Sequence, residues 1–293
     1  MAEPSIYSYQ SSRLALSYAR WHNPGAPCLL LIHGGKDHNR NWDRLVADIG
    51  GRFDIVAPDL RGHGESEWDN SGAYYLGEFL VDLVALVDHL GWDRFTVIGH
   101  SLGSTLATLY TAAYPDKVSR LVAMEGLSLP RKLRRLEAEL AAPERLHTYL
   151  EASQKSAKRR SREFSSVAEA MARLVEQNPK FPEDMAEHLT IHGLRQLDNG
   201  KYRWKCDPMM DQRLRPEISN RERESLWQSI RCPVLLIYGE QSWSDSPEAD
   251  GTASHFRDLR VVGIAEAGHW LHHDQPQQVS KLIVEFVVET ADQ

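Results

Sequence analysis

The chain has 293 residues, 42% of them hydrophobic, and a formal net charge of −7. That length and apolar share argue against a disordered or fibrous chain and suffice for one large α/β domain or a domain with a sizeable insertion. The acidic balance gives no global attraction to nucleic acid or anionic membrane, both of which favour a basic face.

The N-terminal stretch MAEPSIYSYQSSRLALSYARW lacks a basic region followed by an unbroken apolar run, so no secretory signal is expected. No apolar run approaches the roughly 20 residues that a membrane span requires. Cys28, Cys206 and Cys232 are widely spaced and form no C-x-x-C pair. Reduced thiols in a cytoplasmic protein are the expectation.

Along the chain, short apolar runs ending in glycine or polar turns alternate with segments of helical period. That is the pattern of an α/β fold with a mostly parallel central sheet flanked by helices. The predicted strands are Cys28 to Ile32, Phe53 to Ala57, Phe95 to Ile98, Leu121 to Met124, Val234 to Tyr238 and Leu259 to Ile264. Leu80, Leu83, Val84, Val87 and Leu90 mark one helical face. A second helix is predicted from Leu102 to Tyr114, ending before Pro115, and a last one from about Pro276 to Val288.

From 128 to 227 the strand signals mostly vanish and the composition becomes helical. This segment reads as an inserted helical lid, leaving 1–127 and 228–293 as the core domain. It holds 20 of the 34 basic and 16 of the 41 acidic residues, a net +4 against −11 elsewhere. Such an excess could recruit an anionic substrate. The clusters Arg131, Lys132, Arg134 and Arg135, and Lys158, Arg159, Arg160 and Arg162, also read as solvated helix faces. Within the segment, GKYRWKCDPMM suggests a short extended stretch.

Gly99-His100-Ser101-Leu102-Gly103 matches G-x-S-x-G and lies between the predicted strand FTVI and the helix that starts at Leu102. Glycines there permit the tight turn that would lift a serine hydroxyl above a sheet. With Leu31-Ile32-His33-Gly34-Gly35, Pro58-Asp59-Leu60-Arg61-Gly62-His63-Gly64 and Ala267-Gly268-His269, the chain resembles the α/β-hydrolase fold family over nearly its whole length. The resemblance implies a serine hydrolase with Ser101 as nucleophile, His269 as its base, and the N–H groups of Gly35 and Leu102 as the oxyanion hole.

His33, His63 and His100 lie in structural motifs and are expected to hold turns or line the pocket. His272 and His273 are expected at the surface or at a helix start. The family's usual acid position, the third residue after the glycine of PVLLIYG, is Ser242, which carries no charge. Glu125, ending the strand LVAM, is the first candidate for the acid, and Asp245 is the alternative, with Glu240 and Asp250 behind it. The alternative for Glu125 is a carboxylate that caps or salt-bridges the lid's first helix, for example with Arg131.

His38, Asn41 and Trp42 follow the first oxyanion donor and are candidates for the pocket wall, core packing being the alternative for Trp42. Met209, Met210, Trp243 and Trp270 are apolar or aromatic candidates, with core as their alternative. The reaction so implied is cleavage of a carboxylic ester through an acyl-enzyme at Ser101. Lactone or carbon–carbon (diketone) hydrolysis, or a non-catalytic ligand-binding role, remain alternatives. The expected partner is a small-molecule ester or lactone, with no nucleic acid. The chemistry requires no metal and no organic cofactor.

Overall fold

The computed structural model describes residues 3–127, 140–211 and 218–288. Arg131, Lys132, Arg134 and Arg135 lie outside these residues. Among the described residues ten strands run in chain order: β1 (Ser5–Ser11), β2 (Leu14–Trp21), β3 (Cys28–Ile32), β4 (Asp54–Pro58), β5 (Phe95–His100), β6 (Val118–Met124), β7 (Leu194–Gln196), β8 (Tyr202–Trp204), β9 (Val234–Gly239) and β10 (Leu259–Ile264). Eight of them form one sheet in the order β1-β2-β4-β3-β5-β6-β9-β10. The pairs β1–β2 and β2–β4 are antiparallel, and every other pair is parallel.

The six predicted strands are all present, with ends shifted by up to three residues. The hairpin β1–β2 was not predicted. Its Tyr and Ser alternation, with four of the first five residues of β1 exposed, lacks the continuous apolar run that marks the central strands.

Those central strands are buried on both faces, and alternate residues divide between two cores. Leu30, Ile32, Val97, Leu121, Ala123 and Leu236 face one core. It is closed by α2 (Leu76–Leu90), α3 (Leu102–Ala113) and α7 (Asn220–Ser229). Leu29, Leu31, Ile98, Val122, Met124, Leu235 and Ile237 face the other, closed by α1 (Asp43–Ile49) and α9 (Pro276–Val288). In α2 the buried stripe is Leu76, Phe79, Leu83, Leu86 and Val87, so only Leu83 and Val87 of the expected face are buried.

Between β6 and β9 lie α4 (Ala142–Ala157), α5 (Val167–Gln177), α6 (Glu183–Gly193), the small β7–β8 hairpin and α7. The extended stretch expected in GKYRWKCDPMM is β8. Phe181, Met185, Ala186 and Leu189 join α5 and α6 and pack against Trp270 of the sheet domain. The boundary expected at 227 falls inside α7, whose Trp227 is 1% exposed in the main core. That helix therefore packs as part of the sheet domain. Lys158, Arg160 and Arg162 are exposed, as a solvated face requires. Among the described residues, no helix is long and apolar enough to cross a membrane.

Candidate active site

Ser101 occupies the turn from β5 to α3 with φ 53°, a left-handed conformation that costs about 1–3 kcal/mol for a residue with a side chain. Close packing holds it there. A Cβ on Gly99 would fall on the Gly103 carbonyl, and one on Gly103 would fall on the carbonyl of Ile32. The Ser104 hydroxyl sits 2.7 Å from both Gly99 O and Met124 O, and Ser101 N–H donates to Met124 O at 2.9 Å. The G-x-S-x-G spacing is thus a packing requirement of this turn.

Leu102 is the first residue of α3, where helix N–H groups have no acceptor four residues back. Gly34 abuts the nucleophile, since a Cβ there would lie 3.2 Å from Ser101 Cβ, whereas one on Gly35 would meet nothing within 4 Å. Of the two expected donors, Leu102 directly follows Ser101, and Gly35 faces open space.

His269 follows Gly268, whose N–H donates to Asp274 Oδ2 at 2.8 Å and so pins the loop. The Nε2 of His269 is 3.0 Å from Ser101 Oγ, and its Nδ1 is 3.0 Å from Glu125 Oε2. Glu125 directly follows β6 with φ 49°, and its side chain has no exposed surface. Gly239 N–H donates to its Oε1 at 2.8 Å; Ser242 Oγ at 2.6 Å and Ser244 Oγ at 2.8 Å donate to its Oε2. A buried carboxylate requires such donors. Asp245, the alternative acid, is exposed and is not hydrogen-bonded to His269. Sequence reasoning missed Ser242 and Ser244 as donors, because 117 and 119 residues separate them from Glu125.

The other histidines divide sharply. His33 Nε2 accepts from Leu60 N–H and His63 Nε2 from Lys36 N–H, each at 3.0 Å, so both hold turns as expected. His100 Nε2 donates to the carbonyl of His269 at 2.8 Å. His272 and His273 do lie at a helix start, in α8 (Leu271–Asp274), but both are buried rather than at the surface. Burial holds their pKa well below the ordinary imidazole value.

Beside the segment that follows β3 a cleft is lined by Lys36, His38, Leu174, Phe181, Leu189, Trp204 and Trp270, among others. Two of the candidates for the pocket wall, His38 and Trp270, line this cleft. His38 Nε2 donates to Leu189 O at 3.1 Å, and burial, the largest influence, brings its pKa down to about 3. Trp42 does not line the cleft. It is fully buried among Leu45, Val46 and Ile49 and stacks on His272, with centroids 5.4 Å apart. Asn41 is likewise buried, its Oδ1 accepting from His272 Nε2 at 2.8 Å. Trp243 is 58% exposed, its ring 5.1 Å from that of His269. Met209 and Met210 pack against the main core.

Residues 27–276 match the family described as alpha/beta hydrolase fold. The chain is 28% identical over 276 residues to an esterase of Mycobacterium tuberculosis, covering 92% of this chain and 85% of that one. It is 26% identical over 264 residues to the 2-(acetamidomethylene)succinate hydrolase of Mesorhizobium japonicum, covering 89% and 88%. In three dimensions it resembles the thioesterase domain of the curacin biosynthetic pathway, with a TM-score of 0.85 at 24% identity, covering 97% of this chain and 100% of that domain.

Proposed function

The chain belongs to the alpha/beta hydrolase fold family, and from that premise we propose that it is a serine hydrolase that cleaves a carboxylic ester through an acyl-enzyme at Ser101. One observation carries the reading: a continuous relay of 3.0 Å contacts from Ser101 Oγ through His269 to a fully buried Glu125. A serine hydroxyl is a weak nucleophile at neutral pH until a base takes its proton.

His269 Nε2 removes that proton as Oγ attacks the acyl carbon, and the N–H groups of Gly35 and Leu102 receive the developing oxyanion. Collapse of the tetrahedral intermediate expels the alcohol, which leaves with the proton held by His269. Water then attacks the acyl-enzyme with His269 as base, releasing the acid and restoring Ser101. Throughout, Glu125 fixes the imidazole and stabilises its cationic form without itself taking the proton.

The acyl group occupies the cleft between the oxyanion strand and α5–α6, against Leu174, Phe181, Leu189, Trp204 and Trp270. The helices α4 to α6 then serve as the lid. The esterase and the 2-(acetamidomethylene)succinate hydrolase among the relatives support hydrolysis of small substrates. The test combines a fluorophosphonate probe with p-nitrophenyl esters from acetyl to dodecanoyl, beside lactones and diketones. Wild type is labelled and turns over esters, and Ser101→Ala does neither. An unlabelled wild-type chain that still binds esters would instead identify a ligand-binding member of the fold.

A further inference from the structure

A second group of ligand-type side chains lies apart from Ser101, where α6 meets the start of α1. Asp43, His188 and His192 each present one donor atom, and the three atoms lie within 4.8 Å of one another. His188 Nε2 is 3.2 Å from Asp43 Oδ2. His188 and His192 are one turn apart on α6, their ring centroids 4.6 Å apart. Two imidazoles at that spacing share one face of a helix.

We propose that Asp43, His188 and His192 bind a divalent transition-metal ion such as Zn2+, which ties α6 to α1. Nitrogen and carboxylate ligands at about 2.0–2.2 Å from a tetrahedral zinc stand roughly 3.3 Å apart, close to the His188–Asp43 separation. His192 is only part-buried, so a side-chain rotation brings its ring into the same sphere, leaving the fourth position to water. Imidazole and carboxylate together suit zinc and its neighbours better than magnesium or calcium.

Without metal, Arg40 is the cation of this cluster. Its Nε donates to both oxygens of Asp43 at 3.1 and 2.8 Å, and its Nη2 reaches Asp43 at 2.7 Å and Glu3 at 2.8 Å. A buried carboxylate needs such a partner. The guanidinium makes only a 3.5 Å contact with His192 Nδ1, and His188 Nε2 faces two acceptors, Arg40 O at 3.0 Å and Asp43, with one proton. The imidazoles are thus poorly used by the arginine, while a metal ion uses both lone pairs. Arg40 yields Asp43 Oδ2 when the ion enters and keeps Glu3. Because α6 carries Leu189, a wall of the cleft, the ion stiffens that wall. It takes no part in the acyl transfer, which needs no metal.

The experiment is calorimetric titration of chelator-stripped, full-length protein with Zn2+, alongside the visible spectrum of a Co2+ titration. Run in the Ser101→Ala background as well, it excludes ions held at the nucleophile and fails independently of the esterase reading. One ion per chain is expected, with tetrahedral cobalt bands and a rise in Tm on zinc addition. His188→Ala and His192→Gln each weaken binding about tenfold or more, and Arg40→Gln, which removes the competing cation, tightens it. Circular dichroism checks that each variant is folded. Absence of a site in the wild type, or equal zinc affinity and cobalt spectra in a folded His188→Ala/His192→Gln double variant, would overturn the proposal.

Discussion

The hydroxyl of Ser242 donates to Glu125 Oε2 at 2.6 Å, so the residue at the position where the resemblance places the acid holds the carboxylate proposed for that role beside the neighbouring strand. The carboxylate also accepts from Ser244 and from the backbone of Gly239. Glu125→Gln keeps the shape but puts an amide opposite His269 Nδ1. Turnover should fall by a factor on the order of 10³ to 10⁴, as for other triad acids, with Tm changed little. Steady-state kinetics beside thermal melts check this, and near-normal turnover would remove Glu125 from the relay.

Gly126 carries a second prediction. Its φ is 141°, and a Cβ there would fall on the backbone of Ser101. Gly126→Ala therefore has to displace either the end of β6 or the nucleophile turn. A loss of about 1–3 kcal/mol in stability is expected, together with slower fluorophosphonate labelling. A variant equal to wild type in Tm and labelling rate would show that the two loops do not constrain each other.

These two loops also mark where the sequence was legible. Ser101 and His269 are announced by local patterns, a glycine-flanked serine after a strand and a histidine directly after glycine. Glu125 stands out because a charge ends an apolar run. What local pattern does not carry is direction and distance. Trp42 follows the expected oxyanion donor Gly35 by seven residues, yet it turns into the core against His272. His272 and His273 read as surface or helix-start residues because imidazole is polar; they do lie in α8, but packed inward against Trp42 and Phe181. Ser242 and Ser244 gain their role only when β9 lies alongside β6.

Asp37 offers a test through pH. Burial, the largest influence, pushes its pKa up to about 8, against about 3.9 for an unfolded aspartate. The folded state therefore binds the extra proton between those values, and its stability falls as pH rises through that window, with the loss complete above pH 8. Asp37→Asn removes this dependence. The amide is accommodated if Asn41 turns over and donates to His272, whose Nδ1 has no hydrogen-bond partner and can take the proton. Melting curves at pH 6 and pH 8.5 should show the wild type losing Tm by a few degrees more than the variant. Equal slopes would mean that Asp37 is ionised throughout.

The cleft predicts a size limit. Leu174 and Phe181 face it from α5 and the turn before α6. Leu174→Trp fills space that a medium acyl chain occupies, so kcat/KM should fall about tenfold or more for octanoyl esters and little for acetyl esters, given that each buried methylene contributes about 0.8 kcal/mol. Parallel loss for both chain lengths would place the acyl group elsewhere.

The relocated acid supplies the most stringent prediction. If Ser242 and Glu125 are two solutions to one electrostatic problem, a carboxylate at 242 should replace the one lost at 125. In Glu125→Gln/Ser242→Asp the amide remains beside β9, so Gly239 N–H still finds the oxygen that Oε1 now provides. An aspartate at 242 starts from a hydroxyl position 2.6 Å from the carboxylate oxygen it must replace, and that oxygen is 3.0 Å from His269 Nδ1. The extra carboxylate oxygen brings negative charge to within hydrogen-bond reach of the ring, and Ser244 remains as a donor to it. Imperfect placement costs part of the rate, because an orienting group displaced by an ångström loses about 10²-fold. Turnover of the double variant should therefore exceed that of Glu125→Gln by about 10-fold or more while staying below wild type. Ser242→Asp alone, which sets two carboxylates side by side in a buried site, should lose stability. A double variant no faster than Glu125→Gln, with melting and labelling otherwise intact, would show that only the geometry at the end of β6 can orient His269.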